Sequence, residues 1–157
     1  MAASVYVETS VVSYLTARPS GNIIIAAHQQ VTREWWDTRR HNFALYTSQL
    51  VLQEAAGGNE EMAAARLDVL TDLSALGLTD EASSLAKALI TAGAPPAAAP
   101  EDALHIAISV VNGLEYLLTW NCRHIANAAM RRTIERVCRA EGFEPTILCT
   151  PEELLNE

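Results

Sequence analysis

The chain has 157 residues, a formal net charge of −8 and a hydrophobic fraction of 50%. A chain of this length is most simply one domain that buries its own core without disulfides, and its hydrophobic content excludes a disordered protein. The acidic balance argues against nucleic-acid binding through bulk positive charge, although it leaves open a nuclease whose acidic residues hold a metal ion.

The cysteines and the apolar segments indicate where the protein works. Cys122, Cys138 and Cys149 lack CxxC spacing, which is typical of reduced thiols that fill small core positions. No apolar stretch reaches the roughly 18 residues that span a bilayer, and no signal-peptide pattern precedes the first strand-like run. We therefore expect a cytoplasmic protein without a membrane partner.

The hydrophobic pattern predicts short apolar strands that alternate with helices. The predicted strands are residues 5–7, 43–47, 76–78, 116–120 and 146–149. The first predicted helix runs from near residue 11 to the turn at 19–22, and a later one runs from 48 to the glycine pair at 57–58. The other predicted helices are residues 23–40, 59–73, 79–92, 101–112 and 128–141. Residues 150–153 form a capping box, which is typical of the start of a helix.

This alternation predicts an α/β domain around a mostly parallel sheet of four to five short strands. Ligands bind such sheets outside the carboxyl ends of the strands. Glu8 follows the first strand, and residues 119–121 end a later one, so both segments face that edge. Asp102 lies in the first turn of its helix and points towards the same edge if the helix packs beside the sheet. Thr9 or Ser10 is the predicted cap of the first helix.

Four segments carry a carboxylate or carboxamide beside an apolar run. They are residues 5–10, 50–54, 101–107 and 117–124. A buried unpaired charge is costly, and several carboxylates brought together repel one another unless a cation lies among them. Singly, these residues are more often surface acids, helix caps or turn residues. As an ordered set, they predict a metal site.

The ordered set resembles a PIN domain and, within that family, the VapC-like toxins of type II toxin–antitoxin pairs. Residues 5–15 are similar to the first strand, its metal-binding acid and the hydroxyl residue that follows, and residues 52–54, 102–107 and 118–124 are similar to the later segments. The resemblance implies a single three-layer α/β/α domain over residues 1–157. It also implies an endoribonuclease that uses Mg2+ or Mn2+, commonly a homodimer, which a cognate antitoxin protein restrains.

The resemblance assigns catalytic roles to Glu8, Glu54, Asp102 and Asn121. Glu8, Glu54 and Asp102 are the expected metal ligands, and Glu54 is alternatively a base acting through water. Glu8 stands where the family usually has Asp, and Asn121 stands where it often has Asp. Three carboxylates are enough for one divalent ion, while a second ion would need the phosphates of the RNA.

Neighbouring polar residues are expected to serve the substrate or the local structure. Thr9, Thr119 and Arg123 are the expected RNA-binding residues, with Arg123 contacting a phosphate. His105 is more simply a packed histidine that bonds to the backbone than a metal ligand, since hard cations prefer oxygen. His124 is expected to fix its loop. Glu101, next to Asp102, is an ordinary first-turn acid.

Two other functions stay open from the sequence. A PIN-like domain that has lost activity and serves as a protein- or RNA-binding module is supported by Glu8 and Asn121. A small doubly wound ligand-binding or phosphatase-like protein would use the same edge, but the chain has no Gly-rich phosphate loop to support it. Trp35, Trp36 and Trp120 could stack on bases, although packing in the core or at an interface is more common. Trp35 and Trp36 suggest a dimer interface on the helices of the first half.

Overall fold

The computed structural model describes residues 2–156 and contains a five-stranded sheet in which all neighbouring strands are parallel. The strands lie in the order β3-β2-β1-β4-β5. Their bounds are β1 Ala3–Val7, β2 Phe43–Ser48, β3 Ser74–Leu76, β4 Tyr116–Leu118 and β5 Ile147–Cys149. The predicted parallel sheet is confirmed, and its third strand begins two residues earlier than expected.

The helices form two groups. Their bounds are α1 Thr9–Thr16, α2 Ile23–Arg39, α3 Gln49–Ala55, α4 Glu60–Leu70, α5 Asp80–Thr91, α6 Pro100–Val111 and α7 Ala128–Ala140. Helix α1 packs against α2, α3 and α4, whereas α5 packs against α6 and α7. Right-handed crossovers between parallel strands put the helices that precede β2 and β3 on one face and those that precede β4 and β5 on the other. The predicted three-layer α/β/α architecture is confirmed.

The middle strand β1 is the most buried part of the sheet. It is paired on both sides, with β2 and with β4, and Val5, Tyr6 and Val7 are fully buried. A strand covered by helices on both faces needs apolar side chains on both faces, which explains why its sequence is continuously apolar rather than alternating. This burial fixes the position of Glu8, the residue that follows β1.

The start of α1 differs from the prediction. The N-cap residue is Glu8, whose side chain makes no capping hydrogen bond, and the helix begins at Thr9. The hydroxyls of Thr9 and Ser10, expected to cap this helix, donate hydrogen bonds to Glu54 and Glu8 instead. The hydroxyls therefore serve the carboxylates rather than the end of the helix.

Of the core and interface packing that the sequence suggests for Trp35, the structure shows core packing. Trp35 is fully buried, and its ring stacks 5.8 Å from the ring of Phe43. Trp36 is half-buried beneath the guanidinium of Arg40, which lies 4.9 Å from the ring centroid. Trp35 therefore belongs to the core and not to a dimer interface.

The segment after β5 also differs from the prediction. The capping-box contact forms, because Glu153 accepts a hydrogen bond from the backbone N–H of Thr150 at 3.0 Å. Residues 151–156 nevertheless form turns rather than a helix.

The three cysteines are free thiols, of which Cys138 and Cys149 are buried as predicted and Cys122 is exposed. Burial raises the pKa of Cys138 to about 11 and that of Cys149 to about 12, so both are unreactive at neutral pH. Among residues 2–156, no helix combines the length and apolar character that crossing a membrane requires.

Truncating the core of β4 should destabilise the domain strongly. Leu117 is fully buried on β4, so Leu117→Ala should lower the free energy of unfolding by about 2–5 kcal/mol through lost burial and the cavity it leaves. Ile147 on the neighbouring strand is 53% exposed, and Ile147→Ala should change the value by no more than about 0.5 kcal/mol. Urea unfolding of the three proteins measures the difference, and equal losses would contradict the assigned burial.

Candidate metal centre

The candidate site lies where the strand order changes direction. From β1, the chain places β2 and β3 on one side of the sheet and β4 and β5 on the other, so the carboxyl ends of β1 and β4 flank a topological switch point. The backbone N–H of Glu8 donates to the carbonyl of Leu118 at 3.1 Å, which joins the ends of these two strands. Glu8 and Thr119 therefore meet at the edge that the sequence predicted.

Three side chains from different elements form a compact cluster there. One potential ligand atom from each of Glu8, Glu54 and His105 lies within 4.8 Å of the other two. Glu8 comes from the β1–α1 junction, Glu54 from α3 and His105 from α6. Glu8 is only 6% exposed, whereas the side chain of Glu54 is 31% exposed and gives the cluster its open side.

Two hydroxyls hold the Glu8 carboxylate. Its Oε1 accepts hydrogen bonds from Ser10 Oγ and from Thr119 Oγ1, each at 2.5 Å. Thr119 is fully buried, and its Oγ1 also accepts from the backbone N–H of Asn121 at 2.9 Å. Ser10 Oγ accepts from the backbone N–H of Trp120 at 2.8 Å. These contacts satisfy one carboxylate oxygen of a nearly buried acid.

Glu54 is held in the same way. Its Oε1 accepts hydrogen bonds from Thr9 Oγ1 at 2.5 Å and from His105 Nε2 at 2.8 Å. Burial on its own would raise the pKa of Glu54, but the hydrogen bond and the charge of His105, with the hydrogen bond of Thr9, outweigh it and bring the pKa below its ordinary value. Glu54 is consequently an ionised carboxylate at neutral pH.

Asp102 lies outside this cluster and pairs with a second histidine. Its Oδ2 and His124 Nδ1 are 2.9 Å apart. His124 is fixed in turn by its backbone N–H, which donates to Asn121 Oδ1 at 3.0 Å. Asp102 precedes His105 by three residues on α6, so the two lie on one face of the helix, one turn apart. That Asp102 is a metal ligand stays a prediction.

His105 was expected to bond to the backbone, but its ring contacts side chains instead. It is 1% exposed, and its two ring nitrogens contact Glu54 and the Tyr6 hydroxyl, the latter at 2.7 Å. Burial, followed by the charges of Glu8 and Glu54, raises the pKa of Tyr6 far above its usual range and outweighs the hydrogen bond of Ser48 that lowers it, so the phenol keeps its proton. His105 therefore belongs to the site through side-chain contacts.

Other predicted residues have different surroundings. Thr9 and Thr119 direct their hydroxyls to the carboxylates, and Asn121 Oδ1 is occupied by a backbone N–H. Arg123 is exposed. Trp120 donates its indole N–H to Thr32 Oγ1 at 2.6 Å and stacks on His28 at 4.0 Å, so its contacts are with the protein itself. The RNA-binding roles of Thr9, Thr119 and Arg123 stay predictions.

Sequence reasoning missed several contributors. Ser10 was expected only as a possible helix cap, Ser48 only at the start of a helix, and Tyr6 only within the apolar strand over residues 5–7. The available signal was a polar group next to each acid or inside an apolar segment, because buried polar atoms must find hydrogen-bond partners.

The residues present fit a divalent cation. Glu8 and Glu54 offer two carboxylates of like charge at close range, an arrangement that a cation relieves. Within residues 2–156, one oxygen of each of the three carboxylates accepts hydrogen bonds and the other accepts none. The oxygens that accept none are Glu8 Oε2, Glu54 Oε2 and Asp102 Oδ1. Free carboxylate oxygens on an open side are the ligands that Mg2+ and Mn2+ prefer.

Comparison with known proteins bears on the fold. No protein-family model and no curated protein sequence matches the chain. Solved structures do, including the following two. One is the sarcin–ricin loop cleaving toxin VapC20 of Mycobacterium tuberculosis, with a TM-score of 0.56 and 18% identity over 72% of this chain and 86% of that one. The other is VapBC2 of Rickettsia felis bound to a DNA fragment from its promoter, with a TM-score of 0.60 and 15% identity over 94% of this chain and 98% of that one.

The chain has a PIN-like fold. At these identities the likeness concerns the fold, and it confirms the architecture that the sequence resemblance implied. The PIN-like sheet brings Glu8 and Glu54 together at its carboxyl edge.

The lowered pKa of Glu54 makes the stability of the metal-free protein depend on pH. The folded carboxyl binds its proton less readily than the unfolded one, whose ordinary value is 4.5. The stabilisation is therefore complete above that value and is lost as the pH falls through the lower folded-state pKa. Urea unfolding in EDTA at several pH values should show Glu54→Gln losing its deficit relative to wild type on acidification. Exposed Glu60→Gln is the control, and a deficit that is constant with pH would contradict the assignment.

Proposed function

We propose that the chain is a metal-dependent endoribonuclease that hydrolyses RNA phosphodiester bonds, and that it is the toxin of a type II toxin–antitoxin pair. The observation that carries the proposal is the convergence of Glu8 and Glu54 at the carboxyl edge of a PIN-like sheet. The description of VapC20 as a toxin that cleaves the sarcin–ricin loop supports RNA as the substrate.

The proposed cofactor is Mg2+ or Mn2+, held by Glu8, Glu54 and Asp102. Such an ion, when bound, supplies electrophilic stabilisation of the phosphate and a nucleophile at neutral pH. Glu8 and Glu54 keep their orientation because hydroxyl and imidazole donors occupy one oxygen of each. Preorganised ligands of this kind need little rearrangement when the substrate arrives.

The remaining proposed roles concern the substrate. Arg123 is exposed on the loop after β4 and is the proposed phosphate contact, since its guanidinium binds phosphate oxygens in pairs. Thr9, Thr119 and Asn121 are adjacent to the acids and are proposed to orient the substrate or water through the groups that their present contacts leave free. Asn121 contributes no charge to the site.

The proposed partners are a cognate antitoxin protein and a second copy of the chain, and the proposed location is the cytoplasm. The VapBC2 structure supports an antitoxin partner. The first turn of α2 supports a protein interface, because Ile23 and Ile24 are 84% and 64% exposed. Large apolar side chains exposed side by side are typical of surfaces that bind other proteins.

The cleavage of RNA tests this proposal. The protein, freed of any antitoxin, should cleave a mixed RNA pool in Mg2+ or Mn2+ and not in EDTA. Glu8→Gln and Asp102→Asn should each reduce the rate roughly a hundredfold or more, because metal assistance contributes several kcal/mol and each 1.4 kcal/mol is about tenfold in rate. Product formation on denaturing gels gives the rates.

The matched control is Glu101→Gln, which removes a charge from the exposed residue next to Asp102 on the same helix. It should retain the wild-type rate. Cleavage that survives EDTA or both acid substitutions would contradict the proposal, and so would an equal loss in Glu101→Gln.

A further inference from the structure

A chain of three buried side chains leads from the core to Glu54 on the open side of the candidate metal site. Ser48 Oγ lies 2.8 Å from the Tyr6 hydroxyl, the Tyr6 hydroxyl lies 2.7 Å from His105 Nδ1, and His105 Nε2 lies 2.8 Å from Glu54 Oε1. Ser48, Tyr6 and His105 are at most 1% exposed. Water is therefore not available to replace the contacts among these three residues.

The ionised carboxylate of Glu54 fixes the direction of the hydrogen bond at its end of the chain. At one end, the backbone N–H of Val51 donates to Ser48 Oγ at 3.1 Å. At the other end, an ionised Glu54 only accepts, so His105 Nε2 must carry a hydrogen and donate it. In a neutral His105 ring, Ser48 donates to Tyr6 and Tyr6 donates to His105 Nδ1. In a protonated ring, Nδ1 donates to the Tyr6 hydroxyl instead, and Nε2 still donates to Glu54.

This arrangement leaves His105 Nε2 without a lone pair. Nε2 bears a hydrogen in the neutral ring just described, and it also bears one if the ring gains a proton at Nδ1. Only the opposite neutral tautomer has a lone pair on Nε2, and that lone pair would face Glu54 Oε1 at 2.8 Å. Two acceptors at hydrogen-bond distance repel each other, and Tyr6 would lose the acceptor for its hydroxyl.

The proximity of His105 to both acids has a second interpretation, in which the imidazole is a metal ligand. His105 Nε2 is 4.0 Å from Glu8 Oε2 and within the 4.8 Å cluster. The occupied Nε2 position argues against this. A second histidine behaves alike, because His124 Nδ1 contacts Asp102 Oδ2 and leaves Oδ1 free. In both pairs the histidine contacts one carboxylate oxygen and leaves the other oxygen of that acid available as a metal ligand.

We propose that His105 is a positioning residue: locked by Tyr6 and Ser48, it holds Glu54 Oε1 and so presents Glu54 Oε2 to a divalent cation bound through oxygen ligands. The proposal rests on the proposed function, because it assigns Glu54 to the cation site. Tyr6 of β1 and Ser48 of β2 are not cation ligands in this arrangement. They nevertheless determine metal affinity, because they fix the ring of His105.

The state of the ring is measured directly by nitrogen-15 NMR on protein with labelled histidines. The His105 signals are identified by their absence from His105→Gln. We expect a directly bonded hydrogen on Nε2 in the metal-free protein and in protein saturated with diamagnetic Mg2+. Loss of that hydrogen when Mg2+ is added would overturn the proposal, because it would show Nε2 bound to the ion.

Metal affinity tests the positioning role with substitutions. Tyr6→Phe removes only the hydroxyl that fixes the ring and should weaken Mn2+ binding by about 10–100-fold, the usual effect of losing a partner of a metal ligand. Tyr46→Phe is the matched control, since the Tyr46 hydroxyl makes no hydrogen bond within residues 2–156. His105→Gln, which keeps an N–H donor, should bind Mn2+ more tightly than His105→Leu.

Calorimetric titration with Mn2+ gives these affinities without RNA. Equal affinity of Tyr6→Phe and wild type, or of His105→Gln and His105→Leu, would overturn the proposal, as would a wild type that binds no Mn2+. If Mn2+ binds as expected and Nε2 keeps its hydrogen but RNA is not cleaved, the proposed function fails and the positioning role stands.

Discussion

Glu8 is 6% exposed and shares its surroundings with Glu54, so the polypeptide around it has to supply hydrogen-bond donors for a charge that water hardly reaches. Four side chains supply the donors. Ser10 on α1 and Thr119 after β4 donate to one oxygen of Glu8, and Thr9 on α1 and His105 on α6 donate to one oxygen of Glu54. The remaining oxygens stay free for a cation, which would relieve the repulsion between the carboxylates.

The order of the strands makes this arrangement possible. Because β4 pairs beside β1, the residue after β4 reaches the residue after β1, although the two are more than a hundred positions apart in the sequence. The hydroxyls at positions 9 and 10 lie on the first turn of α1 and contact two different acids. The same edge of the sheet therefore carries the ligands and the groups that orient them.

Much of this fold follows from local patterns in the sequence. Five apolar segments separated by amphipathic helices predicted the parallel sheet, and Glu8 was correctly placed at a strand end because strand termination is a local property. The partners of the acids could not be read in this way. Ser10 donates to Glu8 and His105 to Glu54 only because helices from distant parts of the chain pack on the sheet, and periodicity carries no information on that packing.

Trp35 and His105 illustrate the same limit. For Trp35 the sequence left core and interface packing open, and the structure places it in the core, because the position of α2 against β2 is a tertiary property. His105 was expected to bond to the backbone, but the helical backbone around it is already paired, and the nearest free partners are the Tyr6 hydroxyl and the Glu54 carboxylate. Buried polar residues on apolar helices therefore indicate a network without identifying its members.

We propose that Glu8, Glu54 and Asp102 form an oxygen-ligand site for one divalent cation. A crystal structure of the protein with Mn2+ would locate the ion by its anomalous scattering. We expect an anomalous peak bonded to carboxylate oxygens of these three residues, with His105 Nε2 still hydrogen-bonded to Glu54. A peak bonded to His105 Nε2, or one found only away from the carboxyl ends of β1 and β4, would contradict it.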